Sequence, residues 1–174
     1  LFRQELGTSF QQWRQQVVLA HTLPMLYRGV PVAQVAAASG YASSIARAPL
    51  AGERYVCPVS RDTRVPVMSI KACVESLMAL CTVDGAGFDD GWRTVNGPSI
   101  SPTAGEMAEV VERVVAARGG NADIVFEPVE AIRRMIAAWP KSMDASRAAK
   151  LGLTGDTDYE HIVREYAASL ELRR

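Results

Sequence analysis

The segment "SPTAGEMAEVVERVVAARGG" limits what this chain can fold into more than any other. Thr103 and Glu106 stand in T-x-x-E spacing, the pattern of a helix capping box. Met107, Val110, Val111, Val114 and Val115 then recur every three or four residues, and Gly119 closes the run. One face of such a helix has to be buried against another layer. The segments around it supply that layer. "ERYVCPV" alternates like a strand, "TRVPVMS" is a second extended piece broken by Pro66, and "GWRTVNG" and "ADIVFEP" read as two further strands.

Other helices fall between and after these strands. "IKACVESLMALCTV" puts Ile70, Cys73, Val74, Leu77 and Leu80 on one predicted buried face. "VEAIRRMIAAW" is a helix ended by Pro140, and the tail reads as a short helix and a final amphipathic one, with Asp144 and Asp158 as caps. From Ala46 onward helices and strands therefore alternate, which predicts an α/β fold. The strands are few, so the expected unit is part of a larger sheet protein.

The first quarter is different. A helix capped by Thr8 or Ser9 carries Phe10, Trp13, Val17, Ala20 and Leu23 on one side, is kinked by Pro24 and ends at Gly29. Pro31 opens a second helix that Gly40 is expected to close, and "SIARAPLAG" adds one or two turns stopped by Pro49 and Gly52. From Leu1 to Arg47 the bases are Arg3, Arg14, Arg28 and Arg47 against the single acid Glu5. Across all 174 residues, acids and bases balance at 19 each, so net charge selects neither a nucleic-acid nor a membrane partner.

Three cysteines without C-x-x-C spacing, Cys57, Cys73 and Cys81, exclude a disulfide framework or zinc motif and are expected as buried thiols. No metal site is expected. His21 and His161 share no metal-ligand spacing, and His161 is expected in solvent. Trp13, Trp92 and Trp139 are expected to pack. No apolar run reaches membrane-span length and no signal peptide is visible, so the expected location is cytoplasmic.

Two families account for the two styles. "LFRQELGTSFQQWRQQ" with "GVPVAQVAAASGYAS" resembles the AraC-type transcription regulators, which carry two helix-turn-helix units joined by a linker helix. The resemblance implies a turn at Gly40-Tyr41 and DNA contacts from Arg3, Arg14 and Ser43. Here the recognition helix after Ser43 meets Pro49 too soon, and Pro24 interrupts the linker. Any DNA contact is thus expected to be weak and to phosphates.

"ASGYASSIARAPLAGERYVCPV", "VMSIKACVESLMAL", "RTVNGPSISPTAGEMAEVV" and "AAWPKSMDASRAAKLGL", in that order, resemble the C-terminal part of extended short-chain dehydrogenases. Within them the match is to the NAD-dependent epimerase/dehydratase group, nearest to its D-erythronate dehydrogenase branch. It covers roughly Ala38 to Leu170. The implied organisation is a truncated helix-turn-helix segment at 1–44 and the dehydrogenase substrate lobe at 45–174. The implied fold is α/β, a partial Rossmann-type lobe preceded by a helical segment.

The resemblance implies a substrate-facing arginine close to Arg64 or Arg61, with Ser69 as a further polar candidate. A guanidinium there can hold a carboxylate or phosphate bidentately. The family's cofactor is NAD, but the chain contains no G-x-G-x-x-G or G-x-x-G-x-x-G, and none of Tyr27, Tyr41, Tyr55, Tyr159 or Tyr166 begins a Tyr-x-x-x-Lys. No cofactor and no catalytic residue are therefore expected in this chain, and alone it is expected to be inactive. A sugar acid is the expected substrate once a Rossmann half is supplied. A homo-oligomer, or a regulator fragment with a foreign C-terminal domain, stay open as alternatives.

Overall fold

The computed structural model describes residues 32–83 and 94–171. The predicted helix at 9–28, Arg3, Arg14, His21, Trp13 and Trp92 lie outside them.

The elements in chain order are α1 (Val32–Leu50), β1 (Tyr55–Cys57), α2 (Ile70–Leu80), α3 (Ala104–Ala117), β2 (Ile124–Phe126), α4 (Glu130–Ala137), α5 (Ser146–Lys150) and α6 (Tyr159–Glu171). β1 and β2 pair in parallel, with Tyr55 opposite Ile124 and Cys57 opposite Phe126. Parallel neighbours need a crossover, and the chain between them provides it, with α3 leading directly into β2. α1 and α6 both pack on α3, and α4 packs on α1. The fold is thus α/β, as the alternation predicts.

α3 is the hub. Its capping box is complete: Thr103 Oγ1 accepts from the Glu106 N–H at 3.1 Å, and Glu106 Oε2 accepts from the Thr103 N–H at 2.6 Å. Met107, Ala108, Val111, Val114 and Val115 are buried. At the far end the chain turns at Gly119, whose φ of 77° costs a glycine nothing. There the Gly120 N–H closes back onto the Val115 carbonyl.

α1 departs from the sequence reading. No turn occurs at Gly40-Tyr41, and the helix runs through both. The reason is burial. Ala38, Tyr41 and Ile45 lie at three- and four-residue spacing and all enter the core. A glycine inside a helix costs about 1 kcal/mol. Burying Tyr41 and Ile45 returns roughly 1.5–3 kcal/mol each. The expected junction at 44/45 therefore falls inside an unbroken helix, and Ala38 and Tyr41, ahead of it, are packed rather than loosely attached. Pro49 does sit in the last turn, and Gly52 (φ 78°) follows with the Glu53 N–H on the Ala48 carbonyl.

Three smaller expectations need correction. Residues 94–99 form no strand. Val67 and Ile100 make only an isolated antiparallel bridge, as do Arg64 and Thr103. The buried side of α2 is formed by Ala72 and Ser76, while Ile70 is 66% exposed. The larger apolar side chains of this helix are half-buried or exposed, Met78 at 47%. Of the thiols, Cys57 is buried, Cys73 half-buried and Cys81 exposed. Trp139 packs against the core as expected. Asp158 caps α6 through the His161 N–H at 2.7 Å, whereas the N-cap of α5 is Ala145, with Asp144 one residue ahead accepting from the Ser146 N–H at 2.9 Å.

Candidate functional site

The loop from Ser60 to Arg64 leaves β1 and crosses the N-terminus of α3. Its carbonyls are used there: Thr63 accepts from the Ala104 N–H and Arg61 from the Gly105 N–H, both at 2.8 Å. The first turn of α3 thereby spends its free N–H groups on the protein itself, so it offers none to an external anion. Gly105 suits this closeness, because a Cβ there would stand 3.1 Å from the Arg61 carbonyl oxygen, tighter than most such contacts.

Beside the loop lies a cleft of about 670 Å³ between the 60–64 loop and α4. Val59 and Ile136, both buried, form its apolar base. Ser60, Thr63, Arg64, Arg133 and Lys141 give it polar walls, with Asp62 at the edge. The Asp62 carboxyl is held below the usual range, first by the Ser60 hydroxyl and further by the charges of Arg133 and Lys141. The cleft thus carries Arg64, Arg133 and Lys141 beside Asp62, with Arg133 also paired to Glu130 at 3.2 Å, on a volume suited to a small polar ligand.

The structure separates the three residues expected to bind substrate. Arg64 lines the cleft. Its guanidinium donates to the Ser101 carbonyl and lies 3.9 Å from Glu106 Oε2. Arg61 turns the other way, pairing with Glu109 at 2.9 Å and covering the Phe126 ring at 5.0 Å. Ser69 is buried as the N-cap of α2, where its Oγ accepts from the Ala72 N–H at 3.0 Å. Arg133 and Lys141 share the cleft with Arg64. Their positions within "VEAIRRMIAAWPK" gave no motif by which to find them. Ser43 is exposed on α1.

The described residues do not fit a dinucleotide. A dinucleotide's pyrophosphate needs a glycine turn between a strand and a helix N-terminus. β2 instead runs through Pro128 into α4, whose first turn carries Glu130, with exposed Glu127 just before it. β1 runs into Pro58 and the cleft loop. Carboxylates at a helix N-terminus repel phosphate.

Comparison with known proteins agrees with both halves of the reading. A helix-turn-helix domain family matches residues 1–48. D-erythronate dehydrogenase of Cupriavidus necator is 34% identical over 75% of this chain, and that of Haemophilus influenzae 32% over 75%. The chain spans 40% and 41% of the length of these two relatives. The nucleoside-diphosphate-sugar epimerase structure from Agrobacterium tumefaciens superposes with a TM-score of 0.65 at 35% identity, covering 74% of this chain and 37% of that one. The larger part of the chain is thus similar to the NAD-dependent epimerase/dehydratase-type extended short-chain dehydrogenases, and a segment matching a helix-turn-helix domain precedes it.

Proposed function

We propose that residues 45–174, completed by the buried face of α1, act as the substrate lobe of an NAD-dependent sugar-acid dehydrogenase. The observation that carries this is the cationic cleft of Arg64, Arg133 and Lys141, in a chain similar to D-erythronate dehydrogenases. A carboxylate would lie against the Arg64 guanidinium, and the hydroxyls of a sugar acid would meet Ser60 and Thr63. Arg61 and Ser69 serve the lobe's own structure. NAD and the proton-transfer residues would come from outside these 174 residues, since neither the glycine turn nor a Tyr-x-x-x-Lys pair occurs in the sequence.

The test is direct. The purified chain, mixed with D-erythronate, should shift the NMR signals of Ser60 and Thr63, and Arg64→Ala should weaken that binding about tenfold. NADH formation should stay at background. Turnover tracking the purified protein, or sugar-acid binding unaffected by Arg64→Ala, contradicts the reading.

A second reading rests on the match of residues 1–48 to a helix-turn-helix family. In it Arg3, Arg14 and Ser43 touch DNA phosphates. With so few cations, the log–log salt slope would be roughly two to three at most. Hundredfold sequence discrimination would require a working recognition helix, which the continuous α1 does not provide.

A further inference from the structure

Beside the N-terminus of α2, three donor side chains meet at the start of α6. Asp156 lies in the loop before the helix. Its Oδ2 accepts from the Ser69 N–H at 2.7 Å, which fixes the carboxylate and leaves Oδ1 available. His161 and Glu165 follow at i,i+4 spacing on one face of α6, with Nε2 and Oε1 3.9 Å apart. One donor atom from each of the three lies within 4.8 Å of the other two. The cluster already draws in one cation: Lys71 Nζ stands 3.1 Å from Glu165 Oε1.

We propose that Asp156, His161 and Glu165 bind a divalent transition-metal ion, with zinc as the best fit. The donor chemistry selects the ion. Calcium and magnesium take six or more oxygens, and an imidazole nitrogen suits neither. Imidazole nitrogen and carboxylate oxygen are both donors that zinc accepts, and three of them leave a fourth position open to water. Around a tetrahedral zinc, bonds near 2.1 Å place donors about 3.4 Å apart. The side chains therefore have to close by about an ångström, which rotation of exposed His161 and partly exposed Glu165 toward the held Asp156 supplies. Lys71 is 60% exposed on a flexible stem and can swing to solvent as the ion enters. Because Asp156 also holds the N-cap of α2, the ion would tie α2, the 151–158 loop and α6 together.

Titration of the full chain with zinc chloride in a calorimeter should show one ion bound at this site. His161→Ala, at an exposed position where folding is unaffected, should lose about tenfold or more in affinity. Lys71→Gln removes the competing ammonium and should bind zinc several-fold more tightly than wild type. Zinc bound equally well by His161→Ala places the ion elsewhere, on a cysteine for example, and overturns the site. So does a wild-type chain that takes up no zinc, or one that binds it more tightly than Lys71→Gln does.

Discussion

The guanidinium of Arg61 lies over the ring of Phe126, 5.0 Å from its centroid, and the same group pairs with Glu109 at 2.9 Å. One side chain thus joins the loop after β1 to both α3 and β2. Arg61→Ala should lower stability by about 1 kcal/mol in urea unfolding, since each contact is half-exposed. Sugar-acid binding should be unchanged, in contrast to Arg64→Ala. Lys at 61 should restore little, because the ammonium cannot cover the ring and meet Glu109 at once.

Thr103→Ala opens the capping box of α3 and should cost about 1 kcal/mol, read as a lower urea midpoint. The Thr103 backbone N–H is also the main reason that Glu106 titrates below its ordinary value of 4.5. Glu160, through Arg164 first, and Asp144, through the Ser146 hydroxyl first, are lowered as well. Groups of this kind stabilise the fold above the unfolded pKa and cease to do so as pH falls through the folded one. Stability should therefore decline on acidification from about pH 4.5 downward. The decline should be shallower in Glu106→Gln and in high salt.

Ile45 is fully buried on α1, two residues from exposed Ser43. Ile45→Ala should cost roughly 2–5 kcal/mol and Ser43→Ala almost nothing. Hydrogen exchange should show residues 41–48 protected as strongly as 107–115, in one cooperative transition. Rapid exchange of 41–48 alone would mean that α1 is not part of the core.

The Tyr41 hydroxyl is buried without a hydrogen-bond partner among the described residues. Tyr41→Phe should therefore leave stability unchanged or raise it by up to about 1 kcal/mol. Burial also pushes the Tyr41 pKa from 10.0 up to about 12, and burial raises Tyr55 and Tyr159 too. Above pH 10 the unfolded chain loses these protons while the folded one keeps them, so stability should fall as pH rises. Tyr41→Phe should flatten that fall, measured as urea midpoints on either side of pH 10.

A Cβ at Gly155 would stand 2.1 Å from the Pro98 carbonyl oxygen. Gly155→Ala should force the 151–158 loop away from residue 98 and destabilise by roughly 1–3 kcal/mol. If the neighbouring Asp156 is a metal ligand, zinc affinity should fall in the same variant.

Local chemistry in the sequence announced α3, its capping box, its glycine end and the cap of α6, because each depends on residues within a few positions of one another. What it could not announce depends on distant partners. Gly40 reads as a helix end until Tyr41 and Ile45 find a core formed largely by α3. The apolar stripe of α2 reads as its buried face, yet the folded chain turns Ala72 and Ser76 inward instead. Arg61, Arg64 and Ser69 are equivalent polar residues in sequence, and the turn of the 60–64 loop across α3 sends them to three different tasks. Asp156 meets His161 and Glu165 only through the last loop, where two carboxylates and one histidine form no recognisable motif.

The unbroken course of α1 has a mechanical consequence. Its first five residues, Val32 to Ala36, run ahead of the point where Ala37 and Ala38 meet the core, and Val32 is 70% exposed. They form an arm about 7.5 Å long whose direction and phase are set by the seating of Tyr41 and Ile45. Adding a single residue between Ala38 and Val32 would advance the tip by about 1.5 Å and turn it by about 100°. The length of the helix ahead of Tyr41 therefore decides which way Val32 faces from the lobe, as a cam is indexed to its shaft.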